Sequence, residues 1–395
     1  MRYPDGMPDE LSGLARSLGR SAAALKRDFD RHIGKTDEPA IVSYRGYGNH
    51  AQAYVSGRVL RDPGLSRASA GDAWWRNLLN TYKRIETDEI GGARVRVTAF
   101  GASAEAGADE EGFFRITVPV QQPDPNALWH PVTLTLLAPP AREPTVTGLV
   151  LIPPSSARFG VISDLDDTVV QTDVRSVPRM VRAIAFGNAH TRLPFRGVAA
   201  FYQALHRGAG GAESNPVFYV SSSPWNLFDL LDEFLAIRGI PAGPLILRDW
   251  GLTVNPGRSA PHKLAAIAHI METLPSLPFI LIGDSGQEDP EIYREIIARH
   301  PRRIHAAYIR NVTPYPERSV RIRSLIAEVT AAGSTMVLAD DTLAAARHAL
   351  EHGWIHADAI PAIEADQAAE NKTGPEPDQG SSPDKTVVVD QFRSD

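Results

Sequence analysis

Two aspartates, Asp164 and Asp166, are the residues whose type and spacing most directly indicate chemistry. They follow the apolar run Phe159–Ser163, at the point where it gives way to a polar loop. Buried strands favour aliphatic residues, so charges become tolerable at the strand exit, where ligands of open α/β sheets also bind. The spacing suits phosphoryl transfer: one aspartate attacks phosphorus, the second handles the leaving-group proton, and a magnesium ion neutralises the cluster. Taken alone, such a pair also occurs in solvated loops and in calcium sites.

A second apolar run, Val217–Ser221, ends in serines just before a helical segment. A serine hydroxyl and the free backbone N–H groups at that place suit a phosphate oxygen. We expect Ser221 to contact phosphate, because it stands at the strand terminus. The alternative is that Ser222 or Ser223 only caps the following helix.

Two more carboxylates, Asp284 and Asp289, follow the apolar run that ends at Ile282. Carboxylates clustered with Asp164 would repel one another, so a hard cation is the natural resolution. For Asp289, directly before Pro290, a helix N-cap role fits about as well as metal binding. Lys263 begins a helical stretch, where a lone lysine would usually be exposed to solvent.

Taken in order, these segments resemble the four motifs of haloacid dehalogenase-like phosphohydrolases. More narrowly, the chain is similar to the catalytic domain of actin-patch-protein-type phosphatidate phosphatases over about residues 155–350. The segments that carry this resemblance are Ile162–Val169, Tyr219–Leu227, Gly243–Asp249 and Gly283–Tyr293.

The resemblance implies a role for each matching residue. Asp164 would be the nucleophile that forms an aspartyl-phosphate, and Asp166 would be the general acid and then the general base. Mg2+ would be held by Asp164, the Asp166 backbone carbonyl and Asp284, with Asp289 in or near the ligand set. The substrate phosphoryl group would be bound by Thr168, Ser221 and Lys263.

Short strands and longer helices alternate after Pro153–Ala157, the expected junction between two domains. These elements must position the candidate site residues. That alternation predicts a doubly wound parallel sheet. The expected strands are Phe159–Ser163, Val217–Ser221, Leu245–Leu247, Phe279–Ile282, Ile304–Ile309 and Thr335–Leu338. The expected helices are Val198–Leu205, Asn226–Arg238, Lys263–Thr273, Pro290–His300, Ser319–Thr330 and Thr342–His352. With the resemblance, the fold expected for residues 154–364 is haloacid dehalogenase-like.

Residues 37–153 predict a smaller antiparallel β-sandwich or barrel-like domain. Its strand candidates alternate or run apolar: Ala40–Tyr44, Ala53–Leu60, Ala93–Phe100, Gly112–Val118 and Val132–Leu137. Asp72–Glu89 between them has helical periodicity. No nucleophile–base pair or metal-ligand cluster occurs in this sequence segment, which indicates a structural or recognition role.

Three further segments have open interpretations. Residues 1–36 contain an amphipathic helix (9–33) with a basic face, which suits either docking on an anionic membrane or packing on its own domain. The apolar and cationic run Val177–Phe186 suits either a small cap over an open site or packing on the sheet edge. Residues 365–395 are acidic and polar, and we expect a disordered tail.

Composition narrows the function classes. The net charge of −6 argues against general nucleic-acid binding. The sequence has neither a long apolar span nor an apolar N-terminal signal core, so we expect a cytoplasmic location. The alternative is a cytoplasmic protein that contacts a membrane peripherally through the basic helix. The absence of cysteine excludes disulfides and thiolate sites. Protein partners are not indicated.

The leading hypothesis is a phosphoric monoester hydrolase that converts phosphatidate, or a related lipid phosphate, to diacylglycerol and phosphate with Mg2+. One alternative keeps this chemistry with soluble phosphomonoesters as substrates. Another is a non-catalytic phospholipid-binding protein, which is weakened because every charged group needed for turnover is present. The lipid specificity rests on the resemblance, and no headgroup pocket is evident in the sequence.

Overall fold

The computed structural model describes residues 38–61, 89–142, 144–165, 197–248, 260–313 and 315–372 of the 395-residue chain. The predicted N-terminal helix, nearly all of Asp72–Glu89, the run Val177–Phe186 and residues 373–395 lie outside these ranges. Two of the candidate site residues, Asp166 and Thr168, lie outside them as well.

The first half of the described chain forms an eight-stranded sheet. Its strand order is β1-β3-β2-β8-β7-β4-β5, and β6 pairs with β3 on the side of this path. The strands are β1 (Pro39–Ser43), β2 (Gly46–Gly48), β3 (Gln52–Arg61), β4 (Arg94–Ala99), β5 (Ala102–Gly107), β6 (Phe113–Pro119), β7 (Trp129–Ala138) and β8 (Thr145–Leu151). All the neighbours in this sheet are antiparallel except β2 and β8.

Period-two alternation builds the core of this sheet. In β4, for example, Val95 and Val97 are fully buried while Arg94 and Arg96 face solvent. The inward residues of the other long strands join them in one cluster. Side chains that alternate in this way fold one apolar face inward, as expected for an antiparallel β-domain.

The second half contains a six-stranded parallel sheet with the order β11-β10-β9-β12-β13-β14. The strands are β9 (Gly160–Asp164), β10 (Val217–Pro224), β11 (Leu245–Arg248), β12 (Phe279–Asp284), β13 (Ile304–Arg310) and β14 (Met336–Ala339). Numbered from β9, this is the order 3-2-1-4-5-6 of doubly wound sheets, whose strand order reverses between the first and the fourth strand.

Helices cover both faces of this sheet. They are α1 (Val198–Arg207), α2 (Phe228–Ile237), α3 (Ala260–Thr273), α4 (Asp289–Arg299), α5 (Pro316–Ala331), α6 (Thr342–Glu351) and α7 (Ala359–Lys372). Val161 faces the core that contains α1, α2, α6 and α7, and its neighbour Ile162 faces α3, α4 and α5. No described helix is long and apolar enough to cross a membrane.

Most predicted elements are present within one or a few residues of their expected bounds. The sequence interpretation missed three strands, β2, β5 and β8, and the helix α7. Because α7 continues to Lys372, the expectation of a disordered tail from residue 365 is wrong for residues 365–372. Ile363 is fully buried in the core under α1 and α6, and this contact anchors α7, whose other residues are mostly small or polar.

Candidate active site

The candidate site lies where the strand order of the parallel sheet reverses. The adjacent parallel strands β9 and β12 end there, and their last residues are Asp164 and Asp284. Both aspartates are buried, with 4% and 0% of their surface exposed. The connections from β9 and to β12 run on opposite faces of the sheet, so a crevice opens between them at their carboxyl ends.

Lys263 in α3 places its ammonium group inside this crevice. Its Nζ atom lies 2.8 Å from Asp164 Oδ1 and 2.9 Å from Asp289 Oδ1. The residue is only 2% exposed, although a lone lysine in the sequence favoured solvent. A buried ammonium group requires paired charges, because the desolvation of an unpaired charge is very costly. The three residues therefore form one buried ion-paired unit.

Asp289 is the first residue of α4, and its carboxylate points away from the helix into the site. Its Oδ1 atom accepts a hydrogen bond from Lys263, and its Oδ2 atom accepts one from the backbone N–H of Asp284 (3.0 Å). The cap position of α4 is Glu288, which makes no side-chain cap. The alternative interpretation of Asp289 as a helix N-cap is therefore wrong.

A glycine makes the approach of Asp289 possible. A Cβ atom on Gly283 would lie 2.5 Å from Asp289 Oδ2 and 2.7 Å from Asp289 Cβ, closer than such atoms approach. Only a residue without a side chain allows α4 to press its first carboxylate against the end of β12. Gly283 thus contributes to the site because it leaves room for Asp289, and not because of its backbone angles.

The carboxylate of Asp284 is oriented by backbone groups of the loop that follows it. Its Oδ1 atom accepts hydrogen bonds from the N–H groups of Gly286 (2.8 Å) and Gln287 (3.2 Å). Its Oδ2 atom lies 3.9 Å from Nη2 of Arg310, the last residue of β13. Arg310 and Asp164 also line a cavity of about 10 Å³, together with Tyr202 and Tyr219.

The carboxylates of Asp164, Asp284 and Asp289 form a cluster that could hold a metal ion. One oxygen atom from each lies within 4.8 Å of the others. Among the described residues, Lys263 and Arg310 are the cations that pair with these three carboxylates, so this set of five groups carries net negative charge when all are ionised. Hard oxygen donors with residual negative charge fit magnesium, which binds through one or two carboxylates and keeps several waters.

Ser221 lies on the strand next to Asp164. Val220 pairs in register with Asp164, so Ser221 is the residue one step further toward the carboxyl edge. The backbone N–H of Ser223 donates to Ser221 Oγ (3.0 Å), and both serines are fully buried. Neither Ser222 nor Ser223 caps α2, whose cap residue is Leu227 without a side-chain bond. The structure therefore removes the capping alternative and leaves Ser221 at the sheet edge.

Buried tyrosines fix the strand ends beneath the carboxylates. Ser163 Oγ donates to the backbone oxygen of Asp164 (2.9 Å), so the Tyr202 hydroxyl, 2.6 Å away, must donate to Ser163 Oγ. The Tyr293 hydroxyl donates to the carbonyl of Ile282 (2.8 Å). Burial raises the pKa of the Tyr202 and Tyr293 phenols, and the nearby Asp289 raises that of Tyr293 further. Both phenols stay protonated and serve as donors.

The loop after β12 is held by residues from the following elements. Ser285 Oγ accepts hydrogen bonds from the N–H groups of Val312 (2.8 Å) and Thr313 (2.9 Å). Arg318 in α5 donates to the carbonyl of Ser285 (3.2 Å) and forms an ion pair with Glu291 in α4. These contacts make the loop that orients Asp284 part of a rigid frame.

Of the sequence-predicted site residues, the structure brings together Asp164, Lys263, Asp284 and Asp289, with Ser221 on the adjacent strand. Sequence reasoning missed the roles of Tyr202, Tyr293, Arg310 and Gln287. The signal for Arg310 was available in principle, since it follows an apolar strand at the same edge as the aspartates. Tyr293 belongs to a motif that was recognised without a role for its hydroxyl.

The comparison with protein families gives one catalytic-domain match. Residues 159–311 match the family described as phosphatidate phosphatase APP1, catalytic domain. This range runs from the residue before β9 to the residue after β13. It therefore contains Asp164, Ser221, Lys263, Asp284, Asp289 and Arg310.

Two curated proteins are similar to a part of the chain. Phosphatidate phosphatase APP1 of Saccharomyces cerevisiae is 34% identical over 155 residues, which are 38% of this chain and 26% of that protein. An uncharacterized protein of Schizosaccharomyces pombe is 30% identical over 157 residues, 39% of this chain and 25% of that protein. The chain thus spans about a quarter of the length of these relatives.

A comparison with solved structures gives a carbohydrate acetylesterase from Xanthomonas citri. It is 11% identical, covers 74% of this chain and 76% of its own, and has a TM-score of 0.24, which supports no inference about fold or function. The sequence match and the geometry of the carboxylate edge concern the same residues. The segment from residue 159 to residue 311, which contains the carboxylate edge, is similar to the catalytic domain of the phosphatidate phosphatase APP1 family.

Proposed function

We propose that this protein is a Mg2+-dependent phosphatase that hydrolyses phosphatidate, or a related lipid phosphate, through an aspartyl-phosphate on Asp164. The observation that carries the proposal is the buried ammonium group of Lys263 between Asp164 and Asp289. Such a group fixes an ionised carboxylate at the sheet edge and also supplies positive charge next to it. An in-line attack on phosphorus needs both.

Asp164 is the proposed nucleophile. One of its carboxylate oxygens forms the new bond to phosphorus while the ester bond to the leaving alkoxide breaks. The hydrogen-bonded chain from Tyr202 through Ser163 to the Asp164 backbone holds the strand end in place during attack. Positioning of this kind is the main protein contribution to phosphoryl transfer.

Asp166 is the proposed general acid and base, on the basis of its place two residues after Asp164. It gives its proton to the departing alkoxide, and its carboxylate then takes a proton from the water that attacks the aspartyl-phosphate. Phosphate leaves, and Asp164 returns to a free carboxylate. One group can serve both steps because the first transfer leaves it as the base that the second requires.

Lys263 and Ser221 are the proposed phosphoryl-binding side chains, with Thr168 as a further contact. Lys263 offsets charge on the transferring group, and the Ser221 hydroxyl donates to one of its oxygens. Asp164 and Asp284, with the Asp166 carbonyl and with Asp289 in or near the set, would hold Mg2+. When bound, this ion neutralises phosphoryl charge and aligns the attacked phosphorus.

The lipid substrate comes from the relatives. The match to a family of phosphatidate phosphatase catalytic domains supports phosphatidate as the substrate class. A lipid substrate favours peripheral contact with a membrane, and we propose a cytoplasmic location for the protein. We expect no nucleic-acid partner.

A phosphate-release assay tests this proposal. The purified full chain is given phosphatidate in mixed micelles with Mg2+, beside a panel of soluble phosphomonoesters, with Asp164→Asn as the blank. We expect release from phosphatidate that the variant lacks. Turnover of soluble esters alone would contradict the lipid assignment, and unchanged release by Asp164→Asn would contradict the nucleophile.

A further inference from the structure

An aromatic cluster joins the β-domain to the loop that follows the serines of β10. Tyr44, directly after β1, stacks on the indole of Trp225 with ring centroids 4.7 Å apart and an angle of 21° between the planes. Its ring also lies 4.3 Å from that of Phe228. Phe113 of β6 lies 6.2 Å from Trp225 and 6.4 Å from Tyr44, and closes the cluster from the β-domain side.

Trp225 is four residues beyond Ser221 and begins the short 3-10 helix Trp225–Leu227. Its Nε1 atom is buried without a hydrogen-bond partner among the described residues. Ring contacts therefore hold the indole, and most of the rings around it come from the β-domain or from the first residue of α2. Tyr44 itself is 4% exposed, so the stack is a buried contact rather than a surface one.

The β-domain also holds the helix that carries Lys263. The Tyr47 hydroxyl of β2 lies 2.6 Å from Nδ1 of His269 in α3, and the Asn49 side chain donates to the carbonyl of Thr273 (2.8 Å). A third polar contact is the ion pair of Arg45 with Asp232 in α2. Residues 44–49 thus touch the elements that present both proposed phosphoryl-binding side chains.

We infer that the β-domain is a positioning scaffold for phosphoryl binding, with Tyr44 as the residue that holds the end of β10, the strand that carries Ser221, through Trp225. The inference rests on the proposed function, because it assigns Ser221 and Lys263 to the phosphoryl group. Rigid contacts on these two elements keep the binding groups in register with Asp164. A shift of about 1 Å in such groups is enough to weaken binding and turnover strongly.

The test measures inorganic phosphate binding to the full chain by calorimetry, and KM and kcat in the micelle assay. Tyr44→Leu removes the stacked ring, and we expect about tenfold weaker phosphate binding and a raised KM. Tyr44→Phe keeps the ring and should restore the wild-type values. Val97→Ala is the matched control, because Val97 is fully buried in the β-domain core, away from the cluster. It should lower the melting temperature without changing phosphate binding.

Phe113→Leu gives a second, milder variant if Tyr44→Leu does not fold, and it should weaken phosphate binding in the same direction. Ser221→Ala separates the inference from the proposed function. Weaker phosphate binding in Ser221→Ala with unchanged binding in Tyr44→Leu or Phe113→Leu overturns the scaffold role alone. Unchanged binding in Ser221→Ala overturns the phosphate site itself. Equal loss in Val97→Ala and Tyr44→Leu would show a general stability effect and also overturn the inference.

Discussion

The ammonium group of Lys263 lies 2.8 Å from the carboxylate of Asp164, and both side chains are almost completely buried. Replacing such a pair with apolar residues is often neutral for stability, whereas removing one partner leaves a buried charge uncompensated. The pair is therefore explained better by chemistry than by folding. Under the proposed function, the pair holds the Asp164 carboxylate in place for the arriving phosphoryl group.

Removing the Lys263 charge should destabilise the metal-free protein strongly. We expect Lys263→Met to lose about 3–5 kcal/mol of unfolding free energy, because Asp164 and Asp289 then lack their buried counter-charge. Mg2+ should recover part of this stability but not the activity. Urea unfolding with and without Mg2+ measures the effect. The exposed pair of Arg299 with Glu295 gives the control, since Arg299→Gln should stay within about 0.5 kcal/mol of wild type. A stable, active Lys263→Met would refute the assignment.

Removal of Mg2+ by a chelator and substitution of one of its proposed ligands should both abolish the effects of the metal. We expect activity to disappear with a chelator and to return with Mg2+, because the carboxylate cluster needs a cation before it accepts an anionic substrate. Mg2+ should also raise the melting temperature of the wild type, and this rise should be absent in Asp284→Asn. Thermal unfolding at increasing Mg2+ measures it without substrate. Activity that is unchanged by the chelator would show that catalysis does not require Mg2+.

Arg310 should weaken the affinity of the free protein for Mg2+. Its guanidinium lies 3.9 Å from Asp284 Oδ2, so the neutral variant Arg310→Gln should bind Mg2+ several-fold more tightly. A calorimetric titration of the substrate-free protein measures this. Arg321→Gln removes an arginine that is 69% exposed and should leave the affinity unchanged. Equal or weaker Mg2+ binding in Arg310→Gln would show that Arg310 does not act on Asp284 in this way.

The ion pair of Glu291 and Arg318 should make stability depend on pH. Burial raises the pKa of Glu291, but the hydrogen bond and charge of Arg318, with smaller contributions from the backbone and Arg321, together lower it more, so the folded-state pKa lies below the usual value. The stabilisation is complete above the unfolded pKa of about 4.3 and is lost as the pH falls through the folded-state value. Urea unfolding between about pH 7 and pH 3 should show a steeper loss for wild type than for Glu291→Gln. Parallel profiles would contradict this.

The parallel sheet could be predicted because its strands are uniformly apolar and its helices are periodic. The missed elements lack these signals. Strand β5 consists of small residues and one glutamate, and β2 is only the three residues Gly46–Gly48, so pairing with neighbours, not propensity, makes them strands. Helix α7 has only two large apolar residues, Ile360 and Ile363, and the packing of both against the core decides its place.

The part of the candidate site that lies at the ends of strands could be predicted from the sequence. Asp164, Ser221 and Asp284 follow apolar runs, so their common edge could be derived from the pattern. The burial of Lys263 and the turn of Asp289 away from its helix could not, because both depend on partners distant in sequence. Gly283 is an example. The need for glycine at this position follows only from the structure, in which the Asp289 carboxylate lies against the position that a Cβ atom would occupy.

The most direct test of the central claim is to trap the covalent intermediate on Asp164. The protein is mixed with phosphatidate and Mg2+, quenched in acid within a single turnover, digested, and analysed by mass spectrometry of the peptide that contains Asp164. The account predicts one added phosphoryl group on the Asp164 side chain, lost on treatment with hydroxylamine and absent in Asp164→Asn. Phosphate release without any phosphorylated Asp164 peptide, or with the label on another residue, would contradict it.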